Sequence, residues 1–422
     1  MRVYVESFGC AQNQGEGAGI ARDLASRGHE LTEGPAGADV GVLVTCGVIG
    51  PTESRMVRRW HALAERVPRV VVTGCLVPLR TDLLSGAGRE RTTFVPIREQ
   101  DHLPALLDAW SSERVLPVVG VPRPATVTPL PRVVEEVIIA QGCTSGCSYC
   151  YSRLARGRLS SVSLTGVVER VREAAARGVR EVRLTGLDTA ACGEDLFGPE
   201  RLPELLRAVT AAAQDLRVRV GMMSPQSLAP RLEPYLDALG SGGAYRFLHL
   251  PLQSGSDRVL DAMRRGYRSD EVRRQVATAR ARLPDLHLAT DVIVGFPGET
   301  EEDFRATEEL LEEVAPETVN VTRFSARPGT PAARLPRLPP RVAKRRSREV
   351  AELRQRISRR RLERWIGARA VGRVLEYGPG SSSVARLGNY LPVVLDQRPP
   401  LGEDVDLRVD GARSTYLLGS VD

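Results

Sequence analysis

VEEVIIAQGCTSGCSYCY, residues 134–151, decides how the rest of the chain is read. Its first seven residues form a short apolar, β-branched run of the kind that makes a buried strand, and cysteines at 143, 147 and 150 follow at once. Three thiolates on so short a loop hold three corners of an iron–sulfur cubane and leave the fourth iron open to a ligand. The alternative is a zinc loop, but zinc sites usually supply four protein ligands from paired CxxC units. Five more candidate strands follow: EVRLT (181–185), RVRVGMM (217–223), RFLHL (246–250), LHLATDVIV (286–294) and ETVNVTRF (317–324). Each leads into a helical segment or a long loop. Six such repeats predict a partial (β/α)6 barrel over 133–340, with a site at the carboxyl ends of its strands.

Towards the amino terminus, RVYVES (2–7), VGVLVT (40–45) and RVVVTG (69–74) alternate with the helical segments GAGIARDLASRG (17–28) and SRMVRRWHALAERV (54–67). This pattern predicts an α/β domain over 1–119 with a parallel, flavodoxin-like sheet. Cys10, Cys46 and Cys75 each stand just beyond one of these strands. The strand ends of an open parallel sheet converge on one edge where ligands bind, so the three thiols are expected to meet around a second cluster. Three buried structural cysteines are the competing reading. GVPRPATVTPLPR (120–132) carries four prolines and reads as a linker. Residues 341–365 read as a basic helix. Residues 366–422, with GRVLEYG, LGNYLPVVL, DVDLRV and STYLLG among Gly and Pro turns, read as a small β-barrel.

The chain has 422 residues, room for two to four domains. No cleavable signal and no apolar run of about 20 residues is apparent, so a cytoplasmic protein without membrane contact is expected. Seven widely spaced cysteines, an odd number, suit thiolate ligands better than a disulfide framework. Net charge is +7, and Arg341–Arg364 alone carries eleven basic residues against three Glu, a local +8. A concentrated positive charge of this kind fits a polyanionic partner, although a merely solvated helix face would look the same.

These motifs together resemble the radical S-adenosylmethionine (SAM) methylthiotransferases. The resemblance rests on GCAQN around Cys10, TCGVI around Cys46, GC at Cys75, the loop QGCTSGCSYC, HLPLQSGSDRVLDAMRRGY (249–267), TDVIVGFPGETEEDF (290–304) and RFSARPGTPAA (323–333). The terminal unit resembles the RNA-binding TRAM module. RLTGLDTAACG (183–193), RVGMMSP (219–225) and GNYLPVVL (388–395) look most like the archaeal and eukaryotic branch acting on N6-threonylcarbamoyladenosine at tRNA position 37.

The resemblance implies two [4Fe–4S] clusters, one on Cys143, Cys147 and Cys150 and one on Cys10, Cys46 and Cys75. It also implies SAM as cofactor, an electron donor, a tRNA anticodon loop as partner and a monomeric enzyme that places a methylthio group on adenine C2. A radical suits that step, because an unactivated aryl C–H offers no useful acidity to a base. Tyr149 is expected near the SAM adenine, with Gly295, Pro297 and Glu299 of the IVGFPGE turn, Gly295 allowing close approach. Ser224, Gln253, Ser254 and Arg265 are candidates for ribose and carboxylate contacts, against the plainer reading of loop capping. Arg156 suits the carboxylate of SAM or of the threonyl group, and Asp188 and Thr189 are placed at the substrate.

Some positions fall outside these roles. Arg373, Arg386 and Tyr390 are weaker candidates for RNA contact, and Tyr377 and Tyr390 either stack bases or fill the small core of the terminal barrel. Thr45, Leu76, Val77 and Pro78 depart from the family's usual residues around the second and third cysteines. Cys192 has no assigned role, and His249 reads as a packing or hydrogen-bonding residue at a strand end. Activity on isopentenyladenosine-37 or on a ribosomal-protein aspartate remains open within the class. Outside it, an iron–sulfur RNA-binding or redox-sensing protein without turnover remains open too.

Overall fold

The protein is described by a computed structural model covering residues 1–47, 50–112, 133–196 and 201–421. The expected linker at 120–132 lies outside the described residues. The chain divides into two compact units: Met1–Leu130 with Cys150–Arg158 and Arg327–Gly329, and Pro131–Tyr149 with Leu159–Ala326 and Thr330–Asp422. The expected 133–340 domain therefore gives up two short segments to the first unit.

The first unit runs β1 (Arg2–Ser7), α1 (Ala11–Ser26), β2 (Glu30–Thr32), β3 (Val40–Thr45), α2 (Gly50–Ala64), β4 (Arg69–Gly74), β5 (Thr92–Phe94) and α3 (Leu103–Ser112). Its strands are all parallel, in the order β2-β1-β3-β4-β5. This is the flavodoxin-like order, with its switch point between β1 and β3. Ile20, Leu24, Leu103 and Leu107 cover one sheet face, and Met56, Trp60 and Leu63 the other. Both faces being buried explains the unbroken valine runs of β3 and β4. The segment α4 (Tyr151–Arg156) completes this unit.

The second unit begins with β6 (Val134–Ile138), β7 (Ala140–Gln141), β8 (Ser160–Ser161), α5 (Leu164–Ala176), β9 (Glu181–Thr185), α6 (Arg201–Ala212), β10 (Arg217–Val220), α7 (Pro225–Leu228) and α8 (Leu232–Gly240). It continues with β11 (Phe247–His249), α9 (Asp257–Met263), α10 (Ser269–Arg282), β12 (His287–Val294), α11 (Glu301–Val314), β13 (Thr318–Arg323) and α12 (Pro340–Glu363). The strands form two parallel triplets, β10-β9-β6 and β11-β12-β13. Isolated bridges from Val218 to Ala244 and from Met222 to His249 join them, so all six predicted strands line one partial barrel.

On α12, Val350, Leu353 and Ile357 enter the barrel's helical core, while Leu362 enters the core of the terminal domain. That domain is a closed barrel of β14 (Arg369–Tyr377), β15 (Ser383–Leu387), β16 (Pro392–Leu395), β17 (Asp404–Ala412) and β18 (Leu417–Val421), in the order β14-β15-β16-β18-β17. LGNYLPVVL is thus not one strand. Its LGNY portion ends β15 and turns, with Tyr390 at φ 71° and its N–H donating to the Leu387 carbonyl at 2.8 Å.

Three of the four candidates for RNA contact lie instead where this domain meets the partial barrel. The Tyr390 ring is buried against Tyr245 and Phe247, with centroids 4.9 and 5.1 Å away, at the amino-terminal end of the partial barrel. Arg386 stacks over that ring at 4.6 Å. Arg373 pairs with Asp404 and donates to the carbonyls of Arg180 and Asp215 at 2.9 and 2.6 Å. These residues dock the terminal barrel, whereas Tyr377 stays exposed beneath Arg398. Among the described residues no helix is long and apolar enough to cross a membrane.

Candidate functional site

In the first unit, Cys10 precedes α1 at its N-cap, Cys46 follows β3 and Cys75 follows β4. All three stand at carboxyl ends of strands, beside the switch point. Gly9 shows how tightly they gather: its φ is +115°, and a β-carbon there would lie 2.7 Å from Cys46 Cβ. The Cys75 N–H donates to the Thr45 carbonyl at 2.9 Å. Thr45, the unusual residue before Cys46, donates its hydroxyl to the Thr73 carbonyl at 2.6 Å and so staples the ends of β3 and β4. Asn13 donates to the carbonyls of Phe8 and Thr45 at 2.7 and 2.9 Å, tying α1 to the same edge.

Arg156 sits beside these thiols and is almost wholly buried. Its guanidinium forks onto Glu16, with one bond of 3.0 Å, and donates to Asn13 Oδ1 at 2.7 Å. Burial pushes the Cys75 thiol up to about 12; Arg156 opposes that shift, while Glu16, Cys10 and Cys46 add to it. Arg156, expected at a SAM or threonyl carboxylate, is paired here with the Glu16 carboxylate.

The second cysteine set lies on the loop after β7. Cys143 Sγ accepts from the Ser145 N–H at 3.4 Å, and Cys147 Sγ accepts from Arg265 Nη1 at 3.1 Å. Cys150 stands at the N-cap of α4. Arg265 is buried, and Tyr267, Tyr149 and Cys147 hold it charged against its desolvation. Tyr149 is half-buried against Val259, Met263, Phe296 and Ala332.

Among the described residues no group of three His, Cys, Asp or Glu side chains is arranged to hold one metal ion. A cubane gives each thiolate its own iron, so its ligands stand further apart than those of a single ion. Three thiols at each place fit a cubane with one open iron better than a structural zinc site, which usually takes four protein ligands.

Two of the expected SAM contacts keep a buried polar atom without a partner: Ser224 Oγ and Gln253 Oε1. Ser224 follows the end of β10, and Gln253 bridges to Val292 of β12. Gln253 also holds φ 66°, a conformation costly for a side-chain-bearing residue. Orphaned polar atoms at strand ends are what a polar ligand would satisfy.

Other expected contacts turn inward. Ser254 bonds Thr307 on α11 at 3.2 Å. Glu299 accepts from the Gly295 N–H at 2.7 Å and from Arg346 at 2.6 Å. The close approach at Gly295, φ +74°, is that of Ala343 on α12, whose β-carbon would lie 2.6 Å from one placed there. Pro297 lies inside the turn that the Glu299 N–H closes onto the Phe296 carbonyl at 3.0 Å. Asp188 accepts from the Ser224 N–H at 3.0 Å and from the Ser227 hydroxyl at 2.6 Å. The Thr189 hydroxyl reaches the Met222 carbonyl at 3.1 Å. Both residues are buried and stitch the ends of β9 and β10. His249 pairs with Asp291 at 3.0 Å, as a hydrogen-bonding residue should.

The local pattern around Arg156 and Glu16 gave no sign of their pairing. Only their shared place beside the three strand ends reveals it.

Two family models match: the Radical SAM superfamily over residues 137–311 and the uncharacterized protein family UPF0004 over residues 2–95. The chain is 37% identical to a probable threonylcarbamoyladenosine tRNA methylthiotransferase of Methanothermobacter thermautotrophicus, over 99% of each chain. It is 32% identical to the threonylcarbamoyladenosine tRNA methylthiotransferase of Xenopus laevis, over 83% of this chain and 65% of that one. Among solved structures, the radical SAM methyltransferase TsrM of Kitasatospora setae superposes with a TM-score of 0.58 at 16% identity, over 78% of this chain and 73% of that one. That likeness carries the fold alone.

Proposed function

Since the chain belongs to the family of the threonylcarbamoyladenosine tRNA methylthiotransferases, we propose that it converts N6-threonylcarbamoyladenosine-37 of tRNA to its 2-methylthio derivative. Cys143, Cys147 and Cys150 would hold one [4Fe–4S] cluster, and Cys10, Cys46 and Cys75 the other. When bound, the clusters and SAM supply the one-electron chemistry that opens the adenine C2–H and the sulfur that replaces the hydrogen.

This chain's own residues do the holding. Ser224 Oγ and Gln253 Oε1 offer SAM two unsatisfied polar atoms. Arg265 places a positive charge against Cys147 Sγ. Arg156, fixed by Glu16, does the same for Cys75. The protein is expected to work as a cytoplasmic monomer fed by a separate electron donor.

The convergence of three strand ends bearing Cys10, Cys46 and Cys75 supports this reading most, because a protein that only bound RNA has no need of it. Anaerobic incubation with SAM, reductant and tRNA carrying the threonylcarbamoyl group, followed by nucleoside mass spectrometry, should show a methylthio mass gain. No gain on that tRNA, with a gain on isopentenylated tRNA, would overturn the substrate assignment.

A further inference from the structure

The basic helix does not present its charge evenly. Along its second half, Arg356 and Arg360 pair with Glu312, Arg361 with Glu317 and Arg359 with Glu363, while Arg354 donates to the Val319 carbonyl. These cations are spent on α11, β13 and the helix itself. Arg334 and Arg337, in the approach to α12, and Arg341, Lys344 and Arg348, in its first turns, are all exposed. Among the described residues none of the five makes an ion pair or a side-chain hydrogen bond. From Phe324 to Arg348 the sequence contains no Asp or Glu.

The placement of these cations is unfavourable for the isolated protein. Arg341, Lys344 and Arg348 are three and four residues apart, so they share a helix face and repel one another. The first turn has no acidic residue, and Arg341 within it also opposes the helix dipole. A polyanion lying along this face would relieve both effects. Its position is informative too: Ala343 packs on Gly295 just past β12, and Arg346 pairs with Glu299 of the same turn. This end of α12 therefore stands at the carboxyl ends of the barrel strands, where the orphaned Gln253 and Ser224 atoms lie.

We propose that Arg334, Arg337, Arg341, Lys344 and Arg348 form a phosphate track for the single RNA strand flanking the modified base. The track holds that strand at the mouth of the partial barrel, apart from any contact made by the terminal β-barrel. The inference rests on the tRNA reading above.

The test is the salt dependence of tRNA binding to the full chain with reconstituted clusters. Each phosphate contact on a single strand contributes about 0.7 to the slope of log affinity against log salt. The quadruple variant R337Q/R341Q/K344Q/R348Q should lower that slope by about 3. The control R356Q/R359Q/R360Q removes cations already paired on the same helix and should change it by less than about 1. Equal changes in the two variants, or none in the quadruple, would overturn the track. Polyglutamate competing as well as tRNA for this face would overturn it in favour of an acidic protein partner. Salt-independent or absent tRNA binding by the parent chain would instead break the tRNA reading itself.

Discussion

The two sets of three cysteines are built in opposite ways. Cys143, Cys147 and Cys150 lie within eight residues of chain and identify themselves by spacing. Cys10, Cys46 and Cys75 span 66 residues and come together because three parallel strands end on one edge. The loop set is half-exposed. In the strand-end set, Cys46 and Cys75 are buried and a buried Arg156–Glu16 pair stands beside them. A local motif needs only the loop that carries it, whereas a distributed one needs the whole sheet and an internal charge pair to hold its edge.

The largest expected effect breaks the distributed set. Glu16→Gln leaves the Arg156 guanidinium buried without its counter-charge, which should cost about 3–5 kcal/mol in denaturant unfolding. If the loss is under about 1 kcal/mol, Glu16 does not hold the edge.

Acid should act on the other side of the comparison, through the barrel that carries the loop set. His287 is buried at the start of β12, bonded to Thr318, and burial lowers it from 6.5 to about 3. The folded state therefore holds the neutral ring. Stability from this group is full above about pH 6.5 and falls as pH drops towards 3, by about 2 kcal/mol at pH 5. His287→Gln should flatten that part of the stability profile in a pH series of thermal melts, and an unchanged slope would assign the acid sensitivity elsewhere.

The smallest effect concerns the seventh cysteine. Cys192 is buried, donates to the Ile139 carbonyl at 3.4 Å and is raised to about 11 by burial, so it is an inert thiol in either scheme. Cys192→Ala should leave the iron content of the reconstituted protein unchanged and cost about 1 kcal/mol of stability. A loss of iron would make it a ligand that neither set accounts for.

The same contrast explains what could be read from the chain without its fold. The cysteine loop, the six barrel strands and the valine runs of β3 and β4 are local patterns, and all stand where the pattern puts them. The three-residue strands β2 and β5 are too short to leave a periodic signal. LGNYLPVVL resembled a strand because it is rich in Leu and Val, yet Asn389 and Tyr390 turn so that the Tyr390 ring can close the floor of the partial barrel.

The site residues divide on the same line. Ser224 and Gln253, at strand ends, keep open polar atoms, and Arg265 meets a cysteine of the loop. Arg156, Ser254, Glu299, Asp188 and Thr189 have partners on distant elements, which no short window of sequence displays.

The central claim is that two cysteine sets carry two clusters, and iron and sulfide content after anaerobic reconstitution tests it most directly. The parent protein should hold about eight irons and the Cys10→Ala, Cys46→Ala, Cys75→Ala variant about four, by the stoichiometry of two cubanes. About four irons in the parent itself would contradict the account, because the strand-end set would then hold no cluster and the proposed sulfur transfer would have no source.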